Sequence, residues 1–116
     1  MAGNVRQHKV AAMIQEELSD VMKKTGLEML EGGMVTISEV TMSPDLLVAK
    51  IYFTFYNIKD KEKILNEISE QTAQIRGELG NRIRNAVRRV PELIFYIDDS
   101  VDRMMRIDEL LRQIKK

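Results

Sequence analysis

Between Arg76 and Arg89 the chain carries five arginines against a single glutamate, interleaved with Gly77, Gly80, Asn81 and Asn85. Arginine presents a planar fork of donors that matches a phosphate, and glycine lets a sugar–phosphate chain come close to the backbone. These residue types suit anion binding rather than bond-making chemistry. Apolar or tolerant positions Ile64, Ile68, Thr72, Ile75, Leu79, Ile83 and Ala86 recur at helical spacing. With that stripe turned inward, the opposite face holds Gln74, Gly77, Asn81, Arg84, Asn85 and Arg88, with no acid among them. Arg76, Arg82, Arg89 and Glu78 flank it. The candidate nucleic-acid contacts are therefore Arg76, Arg82, Arg84, Arg88 and Arg89, with Gly77, Gly80, Asn81 and Asn85 permitting close approach. Arg6 and Lys9 form an outlying contact. A merely solvated basic helix face has the same pattern, and this segment alone does not choose between the two.

Other chemistries find little support. There is no cysteine and a single histidine, His8, so thiolate or histidine metal sites and disulfides are not expected. Asp98-Asp99 before Ser100 reads as a helix N-cap rather than an acid–base pair. No Gly-x-Ser-x-Gly elbow and no phosphate loop with lysine occurs. The eight methionines are scattered and read as packing. Neither catalysis nor a cofactor is expected.

The elements that must position the arginines can be read in chain order. Residues 4–24 form a helix with Val10 or Ala11, Ile14, Leu18, Val21 and Met22 inward, closed by Gly26. Residues 34–42 alternate as a strand with one slip near Glu39. Ser43-Pro44-Asp45 is a turn, and 47–56 is a second strand, making a hairpin. A helical region from Asp60 to about Val87 is stopped by Pro91, 92–98 is a third strand, and 101–116 is a last helix. Gly77 and Gly80 each cost about 1 kcal/mol inside a helix, so a kink or the approach of another backbone is expected there. The order α-β-β-α-α-β-α predicts a single two-layer α+β domain over 1–116, a three-stranded sheet with helices packed on it. Net charge is zero, which disfavours bulk non-specific nucleic-acid binding but not a basic face. No apolar run approaches the ~20 residues needed to cross a bilayer, so a cytoplasmic protein with no membrane partner is the expectation.

The order α-β-β-α-α-β is that of a type II KH-like domain, and Gly77-Glu78-Leu79-Gly80 has the form of its G-x-x-G loop. Four stretches together resemble the bacterial ribosome-binding factor A family. They are Met42-Ser43-Pro44-Asp45-Leu46, Ala49-Lys50-Ile51-Tyr52-Phe53, the Ile75–Arg84 run, and Arg89-Val90-Pro91-Glu92-Leu93-Ile94-Phe95-Tyr96-Ile97-Asp98-Asp99-Ser100. The tail Arg106-Ile107-Asp108-Glu109-Leu110-Leu111 fits as well. The resemblance implies a non-catalytic assembly factor that binds the immature small (30S) ribosomal subunit and its 16S rRNA; a monomer is expected. It further implies help in late rRNA processing, notably in the cold, alongside other assembly factors including a GTPase. It also implies a kink between the middle helices in place of the loop. The family marks that kink Ala-x-Gly, whereas Gln71-Thr72-Ala73 stands here, so the kink lies either there or at Gly77–Gly80. Thr25-Gly26-Leu27-Glu28 stands where the family has an Asp-Pro-Arg turn, and Met104 where it commonly has glycine. The competing reading is a small protein–protein adaptor using its sheet or last helix.

Overall fold

The computed structural model describes residues 5–30 and 32–98. The helix expected over 101–116, and the capping roles of Asp99 and Ser100, lie outside the described residues. Helix α1 (Val5–Thr25) comes first, followed by strands β1 (Met29–Leu30), β2 (Gly33–Met42) and β3 (Val48–Tyr56). Helices α2 (Lys61–Glu70) and α3 (Thr72–Ile83) then lead to strand β4 (Glu92–Ile97). The sheet has the order β1-β2-β3-β4. Neighbours are antiparallel up to β3, and β3 and β4 run parallel. A parallel pair needs a crossover, and α2 with α3 provides it.

The helices cover one face of the sheet. Ile14, Leu18 and Val21 from α1 meet Val35, Ile51 and Phe53 from the strands. Ile64, Ile68, Ile75, Leu79 and Ile83 from the middle helices complete the same core, all nearly inaccessible to solvent. This is an α+β fold as the periodicity predicts, with four strands rather than three among the described residues. The extra strand β1 pairs Met29 with Met34 and Leu30 with Gly33. Two residues are too few to show any alternation, so sequence periodicity does not reveal this strand.

Several local features follow from the residues that carry them. Gly26 adopts φ +79°, and the Leu27 N–H donates back to the Met22 carbonyl (2.9 Å), ending α1 in a Schellman-type cap with Leu27 buried. The slip near Glu39 is a bulge, with Ile37 paired to Phe53 and Glu39 to Tyr52. The Ser38 hydroxyl there lies 2.7 Å from the Asp98 carboxylate, tying the bulge to the end of β4. In the β2–β3 turn, Asp45 accepts from the Ser43 hydroxyl (2.6 Å) and the Leu47 N–H (3.0 Å).

The break between the middle helices falls at Gln71, whose φ/ψ of −99°/13° leaves the helical basin. Its N–H reaches back to the Ile68 carbonyl at 3.0 Å, and the Thr72 hydroxyl caps the Ser69 carbonyl. Gly77 and Gly80 lie within the continuous helix α3. Of the two places open to the kink, it takes Gln71, without the Ala-x-Gly residues. The helical region also ends sooner than expected. The Ile83 carbonyl accepts from both Ala86 N–H (2.8 Å) and Val87 N–H (3.2 Å), so the last turn tightens and the chain leaves the helix well before Pro91. Ala86, expected on the inner stripe, is consequently exposed.

Candidate nucleic-acid interface

Helix α3 buries Ile75, Leu79 and Ile83 and turns Gly77, Asn81, Gln74 and Glu78 to solvent. Arg76, Gly77, Gly80, Asn81 and Arg84 line one open depression of about 580 Å³, closed at its rim by Ala73 and Val90. The two glycines have different reasons to be there. A Cβ at Gly80 would come within 3.0 Å of a Val90 methyl, so glycine lets the returning loop lie against the helix. A Cβ at Gly77 would meet nothing within 4 Å. Its missing side chain leaves the helix backbone open on the side where the arginines stand.

Arg76 is anchored at this rim. Its Nε donates to the Pro91 carbonyl (2.9 Å) and an Nη to the Val90 carbonyl (2.7 Å). It therefore holds the 84–91 loop against α3, with the side chain still exposed. Arg82 points the other way. Its Nη1 lies 3.3 Å from a Glu17 carboxylate oxygen and also bonds the Asp20 carboxylate, both on α1. The hydrogen bond and charge of Arg82 hold the Asp20 carboxyl below its ordinary range, and Asp20 in turn raises the guanidinium. The structure thus brings Arg76 and Arg84 together with the glycines and Asn81, and leaves Arg82 clamped between two helices.

Arg88 and Arg89 belong to a second depression, of about 600 Å³, which they line with Val87, the Asp45-Leu46-Leu47 turn and Arg6. A third, of about 460 Å³, is lined by Val5, Arg6, Lys9, Val10, Met13 and Ala86. Arg6 lines both, so the outlying pair expected at the start of α1 adjoins the end of the arginine run. Arg84 and Arg88 share a face in helical projection but line different depressions, because the helix has ended between them. Asn85 is exposed on the intervening turn. Arg6, Lys9, Arg84, Arg88 and Arg89 are all exposed, and none has a hydrogen-bond or ion-pair partner among the described residues.

Two further facts favour an anion here. The first turn of α1 contains no acid, so its partial positive charge adds to that of Arg6 and Lys9. The start of α1 is also fixed in place: Gln7, only 8% exposed, donates its Nε2–H to the Met42 carbonyl at 3.0 Å. Sequence reasoning singled out neither Gln7 nor the apolar members Val5, Met13 and Leu47. Val5 and Leu47 fall outside the buried stripes, and an apolar residue left out of both stripe and alternation is the signal that finds them. His8 is exposed in a separate depression with Glu39 and Thr41. Among the described residues no group of three or more acidic or histidine side chains is placed to hold a metal, and no helix is long and apolar enough to cross a membrane.

The sequence profile of a family described as ribosome-binding factor A matches residues 6–111. A ribosome-binding factor A from Cytophaga hutchinsonii is 43% identical over 111 residues, covering 96% of this chain and 84% of the relative. The crystal structure of ribosome-binding factor A from Thermus thermophilus superposes with a TM-score of 0.66 at 21% identity, over 78% of this chain and 94% of that one. A homology model of Thermus thermophilus ribosome-binding factor A, fitted into a cryo-EM map of a complex of that protein with the 30S subunit, gives 0.62 at 21% identity, over 77% and 91%. At that identity the structural likeness speaks for the fold.

Proposed function

We propose that this chain, which belongs to the ribosome-binding factor A family, binds the immature small (30S) ribosomal subunit through its 16S rRNA. It acts there as a non-catalytic assembly factor. The observation that carries the reading is the set of five exposed cations without described partners, Arg6, Lys9, Arg84, Arg88 and Arg89, bordering helix α3 and the turn after it. Gly77 opens the backbone beside them. Phosphate and ribose contact, with RNA shape outweighing base identity, is the mode such a surface supports. In this reading residues 1–116 are one KH-like (type II) RNA-binding domain, in which the Gln71 kink stands in for the G-x-x-G loop. The protein works as a cytoplasmic monomer in late rRNA processing, notably during cold adaptation, with a GTPase among the factors it meets. Of the arginine run, Arg84, Arg88 and Arg89 contact RNA directly, Arg76 does so while holding its loop, and Arg82 contributes through the position of α3. Gly80, Asn81 and Asn85 allow the close approach.

A second reading has its own observation. The sheet face turned away from the described helices exposes Met34, Tyr56, Ile94 and Tyr96, with the Tyr52 and Tyr96 rings stacked at 5.2 Å. A protein–protein adaptor would use that face. One variant separates the two. Arg84→Glu with Arg88→Glu should abolish co-sedimentation with small subunits while the melting temperature stays nearly unchanged, because both side chains are exposed. Undiminished co-sedimentation of that variant rejects the RNA face and favours the sheet.

A further inference from the structure

We propose that the two depressions joined at Arg6 hold unstacked nucleotides of a single-stranded RNA segment, with bases on the apolar floors and the connecting phosphate at Arg6. The inference rests on the RNA-binding reading and adds the form of RNA that this end of the molecule takes. Each depression is lined by apolar side chains together with cationic ones. Val5, 71% exposed, lies with Met13 and Ala86 in one; Leu47, 40% exposed, lies with Val87 in the other. At about 460 and 600 Å³ they fall within the size range of small-ligand sites. Ala86 lines one and the next residue, Val87, the other, and Arg6 lines both, so the two depressions adjoin.

The cations fix where phosphate can run. Lys9 borders the first floor, and Arg88 and Arg89 the second. Among the described residues, Asp45 is the single carboxylate lining either depression. It is held ionised by the Ser43 hydroxyl and the Leu47 N–H, so it repels phosphate from the turn and leaves the track to the arginines. A duplex keeps its bases stacked inside and offers phosphates and sugars, to which an apolar floor contributes nothing. A single strand offers phosphates and base faces together, the combination that single-strand sites use. Among the described residues no aromatic ring lines either depression, so aliphatic contact replaces ring stacking and the gain per base lies at the low end.

The test is fluorescence anisotropy with a labelled, non-self-complementary RNA of about twelve nucleotides, free or annealed to its complement, at several salt concentrations. The single strand should bind more tightly. Val5→Ser and Leu47→Ser should each weaken it roughly fivefold, leaving duplex affinity, salt slope and melting temperature unchanged. Arg88→Gln and Arg89→Gln should weaken both forms and flatten both slopes. Equal affinity for the two forms with inert Val5 and Leu47 variants overturns this inference alone. So does a fall in melting temperature without loss of binding, which means that a segment of the protein itself covers the floor. Binding of neither form overturns the RNA-binding reading as well.

Discussion

Arg82, in the last turn of α3, and Arg84, its C-cap, do different things. Arg82 reaches Glu17 and Asp20 on α1, whereas Arg84 borders the open depression beside Gly77. Arg82→Ala should lower the melting temperature by a few degrees and, by loosening α3 against α1, weaken small-subunit binding far less than Arg84→Ala does. The ion pair also carries a pH signature. Asp20 is held below its ordinary value of 3.8 by Arg82. A carboxylate depressed in the folded state stabilises fully above its unfolded pKa, and that stabilisation fades as pH falls through the folded value. Thermal melts from pH 7 to pH 3 should therefore show wild type losing stability below about pH 4 more steeply than Asp20→Asn. Parallel curves for the two would mean that the pair does not form in solution. At this scale the sequence was half legible. Spacing marked both arginines as basic, but the acids that engage Arg82 lie 62 and 65 residues away, beyond the reach of any local pattern.

The elements were more legible where their period is long. The inner stripe of α1, the β2–β3 hairpin with its bulge near Glu39, and the buried faces of α2 and α3 follow from apolar periodicity. Strand β1 was not legible, because two residues pair through backbone groups that every sequence has. The end of α3 at Ile83 was hidden by Ala86, which keeps helical phase in sequence while the tightened turn carries it outward. What sets the basic end in place was hidden too. Gln7 and Gln15 staple α1 to β2 by donating to the Met42 and Ile37 carbonyls, at 3.0 and 3.3 Å. Their roles depend on where the strand ends. Removing Gln7 leaves the Met42 carbonyl without that donor, so Gln7→Ala should cost about 1–3 kcal/mol of stability by urea titration. Because Arg6 and Lys9 flank Gln7, the same variant should speed exchange of the amides of residues 9–12, which bond the first-turn carbonyls of α1, and weaken small-subunit binding. Slow exchange there in the variant would show that Gln7 does not hold this end of the helix.

For the whole molecule, the zero net charge conceals a division. The outward side of α2 gathers Asp60, Glu62, Glu67 and Glu70 around one depression, and none of these lines the depressions that hold Arg6, Arg84 and Arg88. A molecule without net charge gains little long-range attraction to a polyanion, so its salt dependence reports local contacts. Each neutralised phosphate contributes about 0.7 to the log–log slope on a single strand and about 0.9 on a duplex. If Arg6, Lys9, Arg84, Arg88 and Arg89 each neutralise one phosphate, the slope is roughly −3.5 on a single strand and roughly −4.5 on a duplex. Arg6, Arg84, Arg88 or Arg89 changed to glutamine should each remove about one phosphate's share of it. Arg82→Gln should leave the slope where it was, since its charge already faces Glu17 and Asp20. Titrations of binding against potassium chloride check this directly. A slope much steeper than these values would place additional phosphate contacts outside this surface, and a slope near zero would leave the five cations without a polyanion to bind.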